Sequence, residues 1–385
     1  MNYTHKLALI SGKGGTAKTT ISLCLAKLFG ICGIKTLLID CDIATHGASY
    51  FFEERLGKTK SKEVVSLIDL FAYDTIVIEK ILKIGTESGG IRKEFDKEFY
   101  FVPSGTHFSE DTDAFSDAFD KKNESYFINN ITALEGVFDV IIFDCQAGYT
   151  DVLRMALKTS TKSLAVLEPD AISAAATRIL YAKLAREIEK TYPVQLISKT
   201  TEKEYKHYQP GTIGAFTLIQ PVIFNFEVRA SFNSKDIPDM FGKSLDFGKD
   251  ILGVAKNLFP FPGFIEQLST FTRLQLEDEK KLLQTKLKEL QSLSLQKSPV
   301  FSDNLWQKFL SIITEETKAE IGIQKRIEAL EIEVMPKSIL KTFSWRRRVE
   351  KSWKNVLLSL ISALENEIQK IDADLAKIHG LKANN

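Results

Sequence analysis

Near the amino terminus, the sequence combines glycines and lysines in a pattern suited to binding phosphate. Residues 11–20 read SGKGGTAKTT and lie between a short apolar stretch and a stretch with helical character. Glycines at such a junction let backbone N–H groups approach and encircle phosphate oxygens, and the following helix adds the positive end of its dipole. The Lys18 ammonium would contact the β- and γ-phosphates, and the Thr19 hydroxyl would coordinate Mg²⁺. The predicted nucleotide-binding residues here are Gly12, Gly14, Gly15, Thr16, Ala17, Lys18, Thr19 and Thr20.

Two further apolar stretches end in aspartate, which is the side chain needed beside a nucleotide-bound metal. The first ends at Asp40 and continues to Asp42, and the second ends at Asp144. Residues two apart on an extended strand share a face, so Asp40 and Asp42 can act together. We assign Asp40 to the Mg²⁺ hydration shell, Asp42 to orientation of the attacking water, and Asp144 to Mg²⁺ through water. For Asp40 and Asp42, a polar exit from the strand into a loop is the alternative interpretation.

These residues must be positioned by a parallel sheet. Apolar runs that close on a polar or glycine residue recur along the first two thirds of the chain, and helical sequence follows most of them. In such sheets, ligands bind beyond the carboxyl ends of the strands. We predict an α/β fold, a mostly parallel P-loop NTPase sheet flanked by helices, over residues 1–266. The predicted strands are 6–10, 35–39, 99–102, 138–143, 163–167 and 221–224, and the first predicted helix is 19–29.

Lys13 makes the glycine-rich loop more specific. The spacing Lys-Gly-Gly-x-x-Lys-Thr resembles the deviant Walker A motif of the ParA/MinD family of ATPases. The Asp-x-Asp pair and the D-x-x-x-G that ends at Gly148 resemble further motifs of that family, and the resemblance covers about residues 5–266. It implies ATP and Mg²⁺ as cofactors and a slow, partner-stimulated hydrolysis of ATP to ADP and phosphate. It also implies an ATP-dependent homodimer in which Lys13 reaches the partner's phosphates, Asp42 positions water and Gly148 senses the γ-phosphate.

Three features match the family less well. Ala17 stands where many members have glycine, and we expect the helix to tolerate this replacement. Asn225 resembles the position that contacts the base, because its amide can donate to and accept from an adenine edge. A capping or turn asparagine explains Asn225 nearly as well. The stretch 251–268 resembles the last strand of the family and its exit loop.

After about residue 266, the sequence becomes helical in character. Glycine and strand-like runs almost vanish, and from Leu357 to Ile378 apolar residues alternate spacings of four and three. This pattern is typical of a helix in a coiled coil or bundle, either within the chain or between two copies. We predict an α-helical, coiled-coil extension over residues 267–385.

The extension contains a basic segment, Lys337–Lys354, in which seven basic residues accompany a single acid, Glu350. Basic residues interleaved with aromatics can bind DNA phosphates, an acidic protein or anionic lipid. A solvated helix face with buried tryptophans is the alternative. Membrane binding is disfavoured, because the polar face of the Leu357–Ile378 helix is acidic, whereas an interfacial helix prefers lysine there.

Composition limits the remaining options. The 385 residues contain 51 Lys and Arg against 50 Asp and Glu, and 44% are apolar. These values exclude a wholly disordered chain and disfavour nucleic-acid binding by bulk charge. The four cysteines do not form a disulfide scaffold, and we expect Cys41 and Cys145 to be buried core residues rather than metal or redox groups. Without a signal peptide or a long apolar window, the chain is predicted to be cytoplasmic, with no transmembrane segment.

Two function classes follow from these observations. In the first, a Mg²⁺-dependent ATPase acts as an ATP-driven dimerisation switch that regulates or positions a macromolecular partner through its helical tail. In the second, a ParA-like partition ATPase binds DNA non-specifically and segregates plasmid, chromosome or protein cargo. The long tail, which ordinary family members lack, slightly favours the first class. A metabolic P-loop enzyme is a third class, but it needs a second-substrate pocket that the sequence does not identify.

Overall fold

The structure is a computed structural model of the chain. The structure describes residues 4–58, 64–86, 97–105, 121–205, 207, 211–213, 216–219, 221–223, 228–229, 231, 235–238, 240, 245–259, 262–294 and 343–383. The chain divides into two compact units, residues 1–268 and 269–385, and each is described by itself.

The first unit is built on a mostly parallel sheet. Its strands are β1 (His5–Ile10), β2 (Thr36–Cys41), β3 (Leu82–Thr86), β4 (Lys97–Val102), β5 (Val140–Cys145), β6 (Lys162–Leu167), β7 (Tyr192–Ile197), β8 (Gly211–Ile213) and β9 (Phe216–Leu218). In space the order is β3-β4-β2-β5-β1-β6-β7-β9-β8. The pairs β3–β4 and β8–β9 are antiparallel, and the other neighbours are parallel. The predicted fold class is therefore confirmed.

Helices pack along this sheet. They are α1 (Lys18–Ile31), α2 (Gly47–Tyr50), α3 (Glu53–Lys58), α4 (Leu67–Ala72), α5 (Lys121–Leu134), α6 (Asp151–Thr159), α7 (Ala171–Lys183), α8 (Ala185–Ile188), α9 (Glu202–Tyr205) and α10 (Leu245–Leu258). Every residue of β2 and β5 is buried, as expected for central strands of a covered parallel sheet. Helix α1 contacts β1, β2 and β5, whereas Phe127 of α5 and Leu153 of α6 belong to a core cluster that includes Ala8 and Ile10 of β1.

Five of the six predicted strands correspond to β1, β2, β4, β5 and β6. The prediction for 221–224 is wrong for its described part, because residues 221–223 form only an isolated bridge, from Ile223 to Thr200. The predicted last strand in 251–268 is also wrong. Ile251, Val254, Ala255 and Leu258 are all buried, and their spacings of three, one and three place them on one face of helix α10. Strands β3, β7, β8 and β9 were not predicted.

The second unit contains the long helix α12 (Phe343–Ala383) and most of α11 (Pro262–Ser294). Leu357, Leu364 and Ile371 of the predicted apolar seam are buried. Lys280 of α11 forms an ion pair with Asp372 of α12, which supports packing of the seam within the chain. Among the described residues, no helix is long and apolar enough to cross a membrane.

Only part of the basic segment Lys337–Lys354 can be placed. Residues 337–342 lie outside the described residues, and 343–354 belong to α12. On this helix the Lys351 and Lys354 side chains are exposed, whereas Trp353 is buried. The described end of the segment therefore combines a solvated basic face with a buried tryptophan.

Candidate nucleotide-binding site

The glycine-rich loop joins β1 to α1 and is held from several sides. The Gly148 amide donates to the Ser11 carbonyl at 2.9 Å, and the Ser198 hydroxyl donates to the Thr16 carbonyl at 2.8 Å. The Ser11 hydroxyl donates to the Lys13 carbonyl at 2.7 Å, and the Lys199 ammonium donates to the carbonyl of Gly15. In a trans peptide, the carbonyl and the next N–H point in opposite directions. The loop amides that follow these carbonyls therefore point away from the donors, which suits anion binding at the start of α1.

Lys18 is the first residue of α1, and its side chain is nearly buried, with 8% exposure. Its ammonium donates to the Ser11 hydroxyl at 2.9 Å. Lys18 also lines a cavity of about 580 Å³, a volume typical of small-molecule sites. The wall of this cavity contains loop and α1 residues from Gly14 to Ile21, together with Asp42, Thr45, Gln146, Ala147, Ser198, Lys199, Val222, Ile223, Val228, Arg229 and Phe247.

Two buried aspartates lie side by side below the loop. Asp40 of β2 and Asp144 of β5 are partners in the parallel register, and each is almost inaccessible to solvent. Burial raises the pKa of Asp144 to about 6, although the Lys18 ammonium opposes this effect. Burial, followed by the charge of Asp144, raises the pKa of Asp40 to about 7, against hydrogen bonds from Ser49 and Asp42.

Asp144 is a buried carboxylate without a hydrogen-bond partner among the described residues. Neither of its oxygens is hydrogen-bonded, and the same holds for the buried Thr16 hydroxyl. The nearby hydroxyls of Thr19 and Ser22 oppose the rise in the pKa of Asp144 but do not cancel it. Oxygen ligands of this kind are those that Mg²⁺ prefers, so the residues present fit a magnesium ion beside the phosphate loop.

Asp42 occupies a different environment from Asp40. Strand β2 ends at Cys41, and Asp42 begins the next loop, where its amide donates to Asp40 at 3.0 Å. Its carboxylate accepts from the Thr45 amide at 2.9 Å and from the Thr45 hydroxyl at 2.7 Å. Asp42 lies at the cavity wall, so it can still accept a hydrogen bond from a molecule in the cavity.

The glycines of the site serve different purposes. Gly148 has φ +80°, a left-handed conformation that glycine adopts without strain. Gly12 instead allows a close approach between backbones. A Cβ atom at residue 12 would lie 2.2 Å from the carbonyl carbon of Ala176 and the amide nitrogen of Thr177 in α7. Gly12 is therefore required by helix packing, independently of any phosphate.

Ala17 corrects one prediction. It lies before α1 and caps it in a left-handed conformation, with φ 66° and ψ 21°. The expectation that the helix tolerates this alanine does not apply, because residue 17 lies outside the helix. A non-glycine residue in this region costs roughly 1 kcal/mol or more, and glycine avoids that strain.

Lys13 points to carboxylates of its own chain. Its ammonium lies 2.6 Å from Glu168 Oε2 and 3.1 Å from Asp170 Oδ2. The hydrogen bonds that Lys13 donates to these carboxylates, first of all the one to Glu168, raise the pKa of Lys13. Glu168 Oε1 is in turn 2.8 Å from the Lys199 ammonium. Asp170 also caps α7 by accepting from the Ser173 amide at 2.7 Å.

The structure brings most of the predicted site residues together, apart from Asn225, which lies outside the described residues. Sequence reasoning missed Ser198 and Lys199, which follow the unpredicted strand β7. It also missed the pairing role of Glu168. The only available signal was the polar Glu168-Pro169 end of a predicted strand, to which no chemistry was assigned.

The first unit combines a strand, a glycine-rich loop and a helix with a buried lysine, and it places aspartates at the carboxyl edge of a parallel sheet. Together these features define a P-loop nucleotide-binding domain. A sequence model of the AAA domain family matches residues 4–196. The chain belongs to this family and, within it, to the ParA/MinD type of P-loop ATPases. The resemblance noted from the loop lysines is confirmed.

Individual relatives agree with this assignment. The chain is 27% identical to the septum site-determining protein MinD of Bacillus subtilis over 192 residues, which cover 50% of this chain and 63% of that protein. It is 35% identical to ATPase ASNA1 homolog 1 of Paramecium tetraurelia over 98 residues, covering 25% and 29% of the two chains. The chain thus spans less than two thirds of these curated relatives.

Solved structures show the same fold. The MinD cell division ATPase of Pyrococcus furiosus superposes with a TM-score of 0.50 at 18% identity, over 67% of this chain and 98% of that one. A putative plasmid partition protein of Borrelia burgdorferi bound to AMPPNP has a TM-score of 0.50 at 17% identity, over 67% and 98%. At these identities the likeness concerns the fold alone.

Proposed function

We propose that the chain is a Mg²⁺-dependent ATPase that works as an ATP-driven dimerisation switch. The observation that supports this best is the Asp144 carboxylate, which has no hydrogen-bond partner within the described part of the chain and lies beside the preformed loop and the Lys18 ammonium. In this proposal, Lys18 and the loop amides bind the phosphates, and Thr19, Asp40 and Asp144 hold the metal shell. Bound Mg²⁺ would neutralise charge that develops on the phosphates.

The remaining site residues have roles in the same proposal. Asp42 orients the attacking water, and Gly148 senses the γ-phosphate through its contact with the loop. Thr16, Thr20 and the apolar wall at Val222 and Ile223 enclose the nucleotide. Hydrolysis is slow and stimulated by a partner, so the nucleotide state serves as a switch.

Nucleotide binding can be tested at Lys18. We expect Lys18→Ala to lose ATP binding, because the variant removes a nearly buried ammonium that faces the phosphate position. Lys27→Ala, on the same helix but away from the cavity wall, is the matched control. Titration with a fluorescent ATP analogue measures both variants, and normal affinity in Lys18→Ala would refute the assignment.

Hydrolysis can be separated from binding at Asp42. We expect Asp42→Ala to bind ATP but to turn it over slowly, which gives a dimer that persists in light scattering. Unchanged turnover would contradict the role given to Asp42.

Dimerisation depends on Lys13 in this proposal. The Lys13 ammonium is paired with Glu168 and Asp170, so it must leave these carboxylates to reach a partner's phosphates. We expect Lys13→Ala to keep ATP binding and to lose the ATP-dependent dimer, as measured by light scattering. A variant that dimerises with ATP like the unmodified protein would refute the role of Lys13 between subunits.

The output of the switch is proposed to pass through the helical tail to a protein partner, with the chain acting as a regulatory ATPase subunit in the cytoplasm. The partition alternative, in which the chain binds DNA and moves cargo, is favoured by the exposed Lys351 and Lys354. DNA binding that requires ATP, weakens with salt and is lost in the double variant Lys351→Ala/Lys354→Ala would favour that alternative. Buried Trp353 is left unchanged in this test.

A further inference from the structure

A buried chain of hydroxyl groups links Asp40 to a histidine outside the motifs described above. The hydroxyl and amide of Ser49 donate to Asp40 Oδ2 at 2.7 and 2.8 Å. The Ser49 hydroxyl lies 3.1 Å from the Ser104 hydroxyl, which lies 2.7 Å from His46 Nδ1. Ser49 and Ser104 are completely buried, and His46 is 7% exposed.

Residues from three elements at the sheet edge meet in this series of hydrogen bonds. Asp40 is the second-last residue of β2, Ser49 lies in α2, and Ser104 follows β4, which is the neighbour of β2. The Ser104 amide also donates to the Ser49 hydroxyl at 3.0 Å. His46 has a left-handed backbone with φ 53°, and its amide donates to the Asp42 carbonyl at 2.9 Å. His46 thus contacts Asp42 directly and is linked to Asp40 through the two serines. A strained, buried residue in such a position is expected where geometry matters for function.

Counting protons fixes the direction of each hydrogen bond between His46 and Asp40. A carboxylate accepts only, so the single hydroxyl proton of Ser49 goes to ionised Asp40. The contact between the two serine hydroxyls then requires the proton of Ser104. The contact between Ser104 and His46 consequently requires a proton on Nδ1 of the histidine. Every hydrogen bond therefore points from His46 towards Asp40.

We propose that His46 is a positioning residue, held as the Nδ1–H form, which orients the Asp40 carboxylate through Ser104 and Ser49. The inference rests on the proposed function in one respect, because it takes Asp40 to belong to the Mg²⁺ shell. Groups that orient a metal ligand from outside typically change metal affinity about 10- to 100-fold when they are removed. His46 acts through two hydroxyls, so we expect an effect near the lower end of that range.

The variants separate the hydrogen bond from the backbone strain. His46→Asn places an amide donor near the position of Nδ1, and both asparagine and glycine accept the left-handed backbone. His46→Gly also accepts that backbone but has no donor. We expect the Mg²⁺ concentration that half-saturates binding of a fluorescent ATP analogue to rise about tenfold in His46→Gly and to stay near the unmodified value in His46→Asn. Nucleotide affinity measured in EDTA should be the same for all three proteins, and a purely structural role would predict otherwise.

A spectroscopic measurement tests the direction of these hydrogen bonds in the absence of nucleotide. In ¹⁵N-labelled, ligand-free protein at about pH 8, the Nδ1 resonance of His46 should be that of a protonated nitrogen. The resonance is assigned by its loss in His46→Asn. An unprotonated Nδ1, or equal Mg²⁺ dependence in the glycine and asparagine variants, would overturn the proposal. If the unmodified protein shows no Mg²⁺-dependent nucleotide binding, the proposed function fails, and the Nδ1 resonance still decides the inference.

Discussion

Gly12→Ala is the substitution for which the structure gives the clearest magnitude. A Cβ at residue 12 would lie 2.2 Å from backbone atoms of Ala176 and Thr177, whereas ordinary contacts begin at 3.4 Å. The loop or helix α7 must therefore move by about 1.2 Å. Both neighbours are backbone atoms in regular structure, so the contact cannot be relieved by a side-chain rotation. Overpacking of this kind typically costs about 1–3 kcal/mol.

Gly14→Ala is the matched control in the same loop. Of the residues that the structure describes, none has a heavy atom within 4 Å of a Cβ at residue 14, and Gly14 is not among the described glycines with positive φ. If Gly12 served only to admit phosphate, the two variants would be equally stable without ligand. If Gly12 is required by helix packing, only Gly12→Ala should destabilise the ligand-free protein.

Hydrogen exchange followed by mass spectrometry measures this locally, which matters because the chain has two units and need not unfold in a single step. We expect amides of α7 to exchange roughly 5- to 150-fold faster in Gly12→Ala, the factor that corresponds to about 1–3 kcal/mol. Equal protection of α7 in the two variants would refute the packing argument for Gly12.

Two further predictions concern strain and charge. Ala17→Gly should stabilise the protein by up to about 1 kcal/mol in urea unfolding, since glycine removes the left-handed strain but loses more backbone entropy. Ala26→Gly inside α1 is the control and should destabilise the protein by a similar amount. A change of the same sign in both variants would contradict the strain assigned to Ala17. Raised pKa values of Asp40 and Asp144, about 7 and 6, mean that folding takes up protons, so the ligand-free protein should lose stability as the pH rises from about 4 to about 7. Asp40→Asn should flatten this dependence, and an unchanged pH profile of the unfolding midpoint would contradict it.

Central strands were the predictable part of the fold. Stretches such as 140–143 are apolar on both faces, and a covered parallel strand requires that kind of continuous run in place of alternation. Strand β7, with the sequence YPVQLI, alternates in exposure and contains a proline, so its pattern is weaker. The short edge strands β8 and β9 have three residues each, too few for any periodicity to be recognised.

The residues of the candidate site likewise fall into a predictable group and an unpredictable group. Residues contiguous in a motif, such as Lys18 and Asp144, could be identified because the chemistry fixes their spacing along the chain. Contacts that join distant segments could not, because nothing in the local sequence specifies that Ser198 donates to Thr16 or that Ser104 reaches His46. The conformation of Ala17 was missed for a related reason, since the first helical residue is set by loop geometry as well as by propensity.

The carboxylates around Lys13 are arranged so that this lysine can leave without exposing unpaired charge. Asp170 holds Lys13 with Oδ2 and caps helix α7 with Oδ1, so the cap survives when the lysine departs. Glu168 holds Lys13 with Oε2 and Lys199 with Oε1, so it also keeps a partner. Both ion pairs of Lys13 are partly exposed, so replacing them by contacts with water costs little free energy. A movement of Lys13 towards a second subunit would therefore leave α7, the Gly12 contact and the phosphate loop in place.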